Sequence, residues 1–122
     1  MNIKKAAIFA RAKNEEAVAM QLSKCRAYAQ SKKWKIVGEY VEICGCTRMY
    51  PSAEINSLIE AAKQKVFDGV LITDASRVSR KLHEYFTFRY QLNEIGVNLV
   101  DAVKGESIPN DIANEYIAWN DG

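Results

Sequence analysis

The chain holds one histidine, His83, and three cysteines, Cys25, Cys44 and Cys46, so there is little to build a metal centre from. The Cys44-Gly45-Cys46 run is too tight for a zinc pair, which normally has at least two residues between cysteines and needs further ligands. Three is an odd number, and in an intracellular setting these cysteines read as thiols and not as a disulfide framework. Long apolar runs are absent too. Stretches such as Val97 to Val100 fall far short of a membrane span, and MNIKKAAIFARAK has neither the apolar segment nor the cleavage site of a signal peptide. The expected location is the cytoplasm. Excess charge of one sign is also missing: the formal net charge is +2, which by itself does not point to a polyanionic partner. No internal repeat, low-complexity segment or linker interrupts the 122 residues, so one domain with one core is expected.

What is present is alternation. Ala6 to Ala10 is a short, wholly apolar run of the kind a strand buried on both faces shows. From about Glu15 to Ser31, Val18, Leu22, Cys25 and Ala29 recur at helical spacing behind an acidic first turn. Lys35 to Val41 reads as a strand, Ser52 to Lys65 as a helix carrying Ile55, Leu58, Ile59 and Ala62 on one stripe, and Gly69 to Thr73 as another buried strand. A third helix from about Lys81 to Ile95 turns Leu82, Tyr85, Phe86, Leu92 and Ile95 inward, and Gly96 closes it. Val97 to Ala102 is a fourth strand, and Ile112, Tyr116 and Trp119 repeat at helical spacing within 109–119. Strand and helix in regular succession predict an α/β domain, a mostly parallel sheet covered on both faces.

In such sheets the ligand crevice lies beyond the C-terminal strand ends. If the first and third strands are central neighbours, Arg11 leaves one there while Arg77 and Arg80 follow the other, and three guanidiniums converge. Their repulsion is relieved by an anion, and the arginine fork suits phosphate oxygens. The plain alternative pairs Arg11 with Glu15 or Glu16 and leaves Arg77 and Arg80 solvated. Sixteen of the seventeen Lys and Arg residues lie at or before Arg89. Lys32, Lys33 and Lys35 around Trp34 read either as a nucleic-acid patch or as the cations a helix end favours. Tyr85, Phe86 and Tyr90 read as core or interface, and His83 as an ordinary surface histidine.

The segments AAIFARAKNEE, CRAYAQSKKWKIVGEYVE, GVLITDASRVSR and LNEIGVNLVDA, in this order, resemble the catalytic domain of the serine recombinases, the resolvase and invertase family. The resemblance runs from about Ala6 to Ser107. It implies a three-layer α/β/α resolvase-like domain whose mostly parallel sheet has four to five strands in the order 2-1-3-4, with any fifth at the edge. It also implies metal-free, cofactor-free phosphoryl transfer in which a serine attacks a DNA phosphate and arginines stabilise the charge that develops. Arg11 matches the arginine two residues before that serine, Arg77 and Arg80 match the paired arginines of the D-R-L-S-R motif, and Gln21 matches a glutamine of the first helix.

The departures from the pattern decide the expected function. The serine position falls on Lys13, the acid before the paired arginines on Ser76, the arginine before the loop proline on Tyr50, and the early helical glutamine on Ala17. Asp74 is a candidate substitute acid. With no hydroxyl at position 13, the expectation is a domain that has lost strand cleavage and retains an arginine cluster for phosphate. Its expected role is that of a DNA-associated accessory or regulatory module, weak on DNA alone, that pairs with itself or with a recombinase. The family follows its catalytic domain with a dimer-forming helix and a DNA-binding domain. Within 1–122 a single domain without a separate DNA-binding domain is expected. Two alternatives stay open: an active recombinase with a rearranged site, and a doubly wound domain that binds a small phosphorylated ligand or a protein and no DNA.

Overall fold

The computed structural model describes residues 3–43, 50–104 and 106–107, the last pair by backbone only. The chain runs β1 (Lys5–Ala12), α1 (Glu15–Lys32), β2 (Lys35–Ile43), α2 (Ala53–Lys63), β3 (Gly69–Ile72), a 3₁₀ turn (Ala75–Arg77), α3 (Leu82–Ile95), β4 (Asn98–Asp101) and β5 (Glu106–Ser107). Four strands are parallel in the order β2-β1-β3-β4, and β5 adds an antiparallel edge beside β4. This is the α/β architecture and strand order expected from the sequence. Cys44 and Cys46 and the 109–119 pattern lie outside the described residues.

Side chains alternate across the central strands because successive residues of a strand point to opposite faces. Ala6 and Ile8 of β1, Leu71 of β3 and Val100 of β4 face α1, where they meet Cys25 and Ala29. Ala7 and Phe9, Val70 and Ile72, and Leu99 face the other way, onto Ile55, Leu58 and Ile59 of α2 and Tyr85, Phe88 and Leu92 of α3. Both faces are covered, hence the continuous apolar runs in β1 and β3.

Each helix is bounded by local chemistry. Asn14 Oδ1 accepts the Ala17 N–H at 2.8 Å at the start of α1, and Ser52 Oγ accepts the Ile55 N–H at 3.2 Å at the start of α2. Gly96, at φ 92°, ends α3 in the left-handed conformation that glycine adopts most cheaply. The inward face of α3 differs from the expected stripe. Tyr85 and Leu92 are buried as expected, but Phe88 and Arg89 join them while Leu82, Phe86 and Ile95 are only half-buried. This helix packs both on the sheet and against α2, so its buried face is rotated from the one a single apolar stripe suggests. Trp34 is half-buried against the α1-side core and meets Tyr28 edge to face, His83 is exposed, and Tyr90 is 65% exposed.

Candidate functional site

Adjacent pairing of β1 and β3 brings their C-terminal ends, and the segments 11–13 and 74–81 that follow, to one rim of the sheet. The contact between them is direct: Arg77 Nη1 donates to the main-chain carbonyl of Arg11 at 3.4 Å. That carbonyl and the Arg11 N–H are held by one side chain. Gln21, buried on α1, accepts from Arg11 N through Oε1 at 3.0 Å and donates from Nε2 to Arg11 O at 2.9 Å. The primary amide offers both a donor and an acceptor at the right spacing to close this two-bond clamp.

The guanidiniums themselves are drawn to different acids. Arg11 Nε lies 4.0 Å from Glu42 Oε2, because Glu42 stands opposite Arg11 in the β1–β2 register. Its acid is therefore Glu42, not Glu15 or Glu16, both of which are exposed on the first turn of α1. Arg77 Nε lies 3.2 Å from Asp74 Oδ2, yet this buried N–H makes no hydrogen bond, so the contact is Coulombic attraction without hydrogen-bond geometry. Arg80 and Lys13 are exposed. The structure brings Arg77 against the Arg11 backbone, with an arginine–carboxylate pair on either side, and leaves Arg80 exposed. Glu42 and Asp74 supply counter-charge to these two arginines from within the chain.

Asp74 keeps an extended backbone after β3 and caps the 3₁₀ turn. It accepts from the Ser76 N–H at 3.0 Å and from the Ser76 hydroxyl. Ser79 is buried; its hydroxyl donates to Glu84 Oε1 at 2.7 Å and accepts from Lys81 N at 3.0 Å. Ser52 donates its hydroxyl to Glu42. Each of these three serines near the arginines is therefore bonded to a carboxylate. The Ala17 N–H donates to Asn14 Oδ1 at the cap of α1.

Tyr50 is half-buried beside this cluster with its hydroxyl unpaired among the described residues, and burial, aided by the negative charge of Glu84, pushes that phenol up to about 12. Arg11, Glu42, Tyr50, Ser52, Ile55, Val78 and Ser79 line a crevice of about 10 Å³, room for about one water and too small for a phosphate group. A cavity of about 150 Å³ beside it is bounded by Glu42, Ile43, Ser52, Ala53 and Glu54, whose two carboxylates repel an anion. Lys13 and Arg80 are exposed at this rim. Among the described residues no cluster of metal-ligating side chains exists, and no helix is long and apolar enough to cross a membrane.

Glu42 was not singled out in the sequence as a site residue. Its only signal is position: it ends the strand that pairs with β1, in the same register as Arg11.

The family described as Resolvase, N terminal domain, matches residues 7–117. The chain belongs to this family. No curated protein sequence matches this resolvase-type domain. Its fold is similar to the N-terminal catalytic domain of TP901-1 integrase, with a TM-score of 0.78 at 17% identity, covering 94% of this chain and 89% of that one. A resolvase family site-specific recombinase from Streptococcus pneumoniae gives 0.77 at 19% identity, covering 97% and 89%. The C-terminal catalytic domain of ISC1926 TnpA, an IS607-like serine recombinase, gives 0.73 at 20% identity, covering 93% and 77%. At these identities the likeness is one of fold, and the resolvase-type domain must be read residue by residue for its chemistry.

Proposed function

We propose that this resolvase-type domain holds the phosphate backbone of DNA without cutting it and acts as an accessory or regulatory module of site-specific recombination. The observation that carries the reading is the side chain at position 13. Where the family motif has its serine, the bend after β1 carries an exposed lysine, a phosphate-binding cation without a hydroxyl. The neighbouring hydroxyls do not replace it. Ser79 is buried, and Ser52 and Ser76 are turned onto Glu42 and Asp74. Nucleophilic attack tolerates little misplacement: about 1 Å costs about a hundredfold.

Arg11, Arg77, Arg80 and Lys13 are the residues assigned to phosphate. Lys13 and Arg80 make the outer contacts, Arg77 braces the Arg11 backbone, and Gln21 sets the height of that backbone at the rim. Asp74, bonded to Ser76 and beside Arg77, stands in for the acid missing at position 76 as the local counter-charge. The crevice of about 10 Å³ argues against a small phosphorylated ligand as the natural occupant.

The test has two parts. Supercoiled DNA is incubated with the protein, quenched in denaturant and assayed for a covalent protein–DNA adduct; none is expected, and a phosphoserine adduct overturns the non-cleaving reading. Duplex binding is then followed as salt rises, and removal of Lys13 and Arg80 together should lower the slope of log K against log salt by about 1.8. Binding that is absent at low salt refutes the DNA assignment.

A further inference from the structure

The opposite end of the sheet carries a second concentration of positive charge. Over the length of β1 the two ends are about 25 Å apart at the usual rise per residue. Lys4 and Lys5 lead into β1 and Lys35 opens β2, with Lys5 and Lys35 paired side by side in the register. Lys32 and Lys33 finish α1 on one side of the sheet, and Lys63 and Lys65 finish α2 on the other. All seven are exposed. The segments are tied together at this edge, since Lys35 N donates to Lys4 O at 2.9 Å and Asp68 N to Lys5 O at 2.8 Å.

Little acid balances them. The Asp68 carboxylate is taken up by the main-chain N–H groups of Lys4 and Lys5, at 3.1 and 3.2 Å. Glu60 pairs with Lys63 at 3.3 Å. Among the described residues, Lys4, Lys5, Lys33, Lys35 and Lys65 form no ion pair. Cations at helix C-termini are ordinary, and this accounts for Lys32 and Lys63. It does not account for lysines at the starts of two paired strands.

Nor does it account for the two lysines beyond the helix ends. Lys33, at φ 63°, and Lys65, at φ 60°, are the only non-glycine residues with positive φ among the described ones. The left-handed conformation crowds a Cβ, and glycine or asparagine is the residue that fills it cheaply. Of the three helices that end at this edge, α3 closes on Gly96, whereas α1 and α2 are followed by a lysine in that strained conformation, which a purely structural role would not favour.

We infer that this lysine edge is a second docking surface for the sugar–phosphate backbone of duplex DNA, separate from the arginine rim. It recognises charge and spacing and not base sequence, because lysines act as point charges and Trp34 is half-buried against the core and edge to face with Tyr28. The domain can then touch two stretches of duplex at once, one at each end of its sheet.

The test substitutes Lys33→Asn and Lys65→Asn together, a change that suits the left-handed backbone. Binding of a labelled 20-base-pair duplex of arbitrary sequence is followed by anisotropy across a salt series, beside thermal melting. The double variant should melt no lower than the unaltered protein, while the slope of log K against log salt falls by about 1.8. A Lys5→Gln/Lys35→Gln variant should lower the slope similarly from strand positions. If both variants bind with unchanged affinity and slope, the inference is overturned; a rim variant that weakens binding in the same assay leaves the proposed function standing. If only the edge variants weaken binding, the edge assignment holds and the rim assignment fails. A change of oligomeric state in the edge variants with DNA binding intact would assign the lysines to an acidic protein surface and also overturn it.

Discussion

Replacing Gln21 should unfasten the rim, and the size of the effect follows from two hydrogen bonds. Gln21→Ala removes the acceptor for Arg11 N–H and a donor to Arg11 C=O. A net hydrogen bond contributes about 1 kcal/mol, and a buried group left unpaired costs about 1–3 kcal/mol. Arg11 is half-buried, so water reaches part of it, and Arg77 still donates to its carbonyl. The expected loss is therefore about 2–3 kcal/mol, well inside the stability of a domain of this size. Thermal melting should fall by about 6–12 °C. Gln21→Met keeps most of the volume and loses the amide, so it should fall nearly as far; a Met variant close to the original would assign the effect to packing. Gln21→Glu keeps the acceptor but turns a carboxylate oxygen toward the Arg11 carbonyl, so it should be poor at pH 7 and recover on acidification, when the acid can donate. An Ala variant within about 0.5 kcal/mol of the original, by urea unfolding, would refute the clamp as a source of order at the rim.

The Cys25 thiol is fully buried, and burial, followed by the negative charges of Asp101 and Glu39, pushes it up to about 12. In a Cys44→Ser/Cys46→Ser background it should resist a thiol reagent at pH 8 in the native state and react on unfolding; rapid native labelling would contradict the packing of α1 on the sheet. Glu39 takes a two-pronged bond from Arg26, at 2.6 and 2.7 Å, which holds its carboxyl below the ordinary range. A depressed acid stabilises above its unfolded pKa and loses that contribution as pH falls through the folded value. The small stability gap between the original and Glu39→Gln should therefore be present at pH 6 and vanish toward pH 3; a gap that widens on acidification would reverse the assignment. A Cβ at Gly69 would lie 2.8 Å from Ile3 Cδ1, with Cγ2 and Cγ1 at 3.2 and 3.3 Å. Gly69→Ala should cost about 1–3 kcal/mol in urea unfolding, and trimming Ile3→Ala in the same chain should cost less than the two separate changes combined.

The sequence by itself determined the elements and their layering. Two wholly apolar runs, Ala6 to Ala10 and Gly69 to Thr73, mark strands covered on both sides, and strands alternating with helices leave a parallel sheet as the consistent arrangement. Asn14, Ser52 and Gly96 set helix ends through bonds or φ values that involve only their near neighbours. Lys13 could also be read directly, because a side chain without a hydroxyl limits the available chemistry in any fold. Only the tertiary structure decided which charges meet. Arg11 faces Glu42, 31 residues away, through strand register. Gln21 grips the backbone of Arg11 because α1 crosses the end of its own strand, and the burial of Phe88 and Arg89 depends on how α3 lies between the sheet and α2. The seven lysines are scattered from position 4 to position 65, and they share an edge because parallel strands all begin on the same side. Helical and strand preferences reach about four residues along the chain, whereas electrostatic partners are chosen by packing many residues apart.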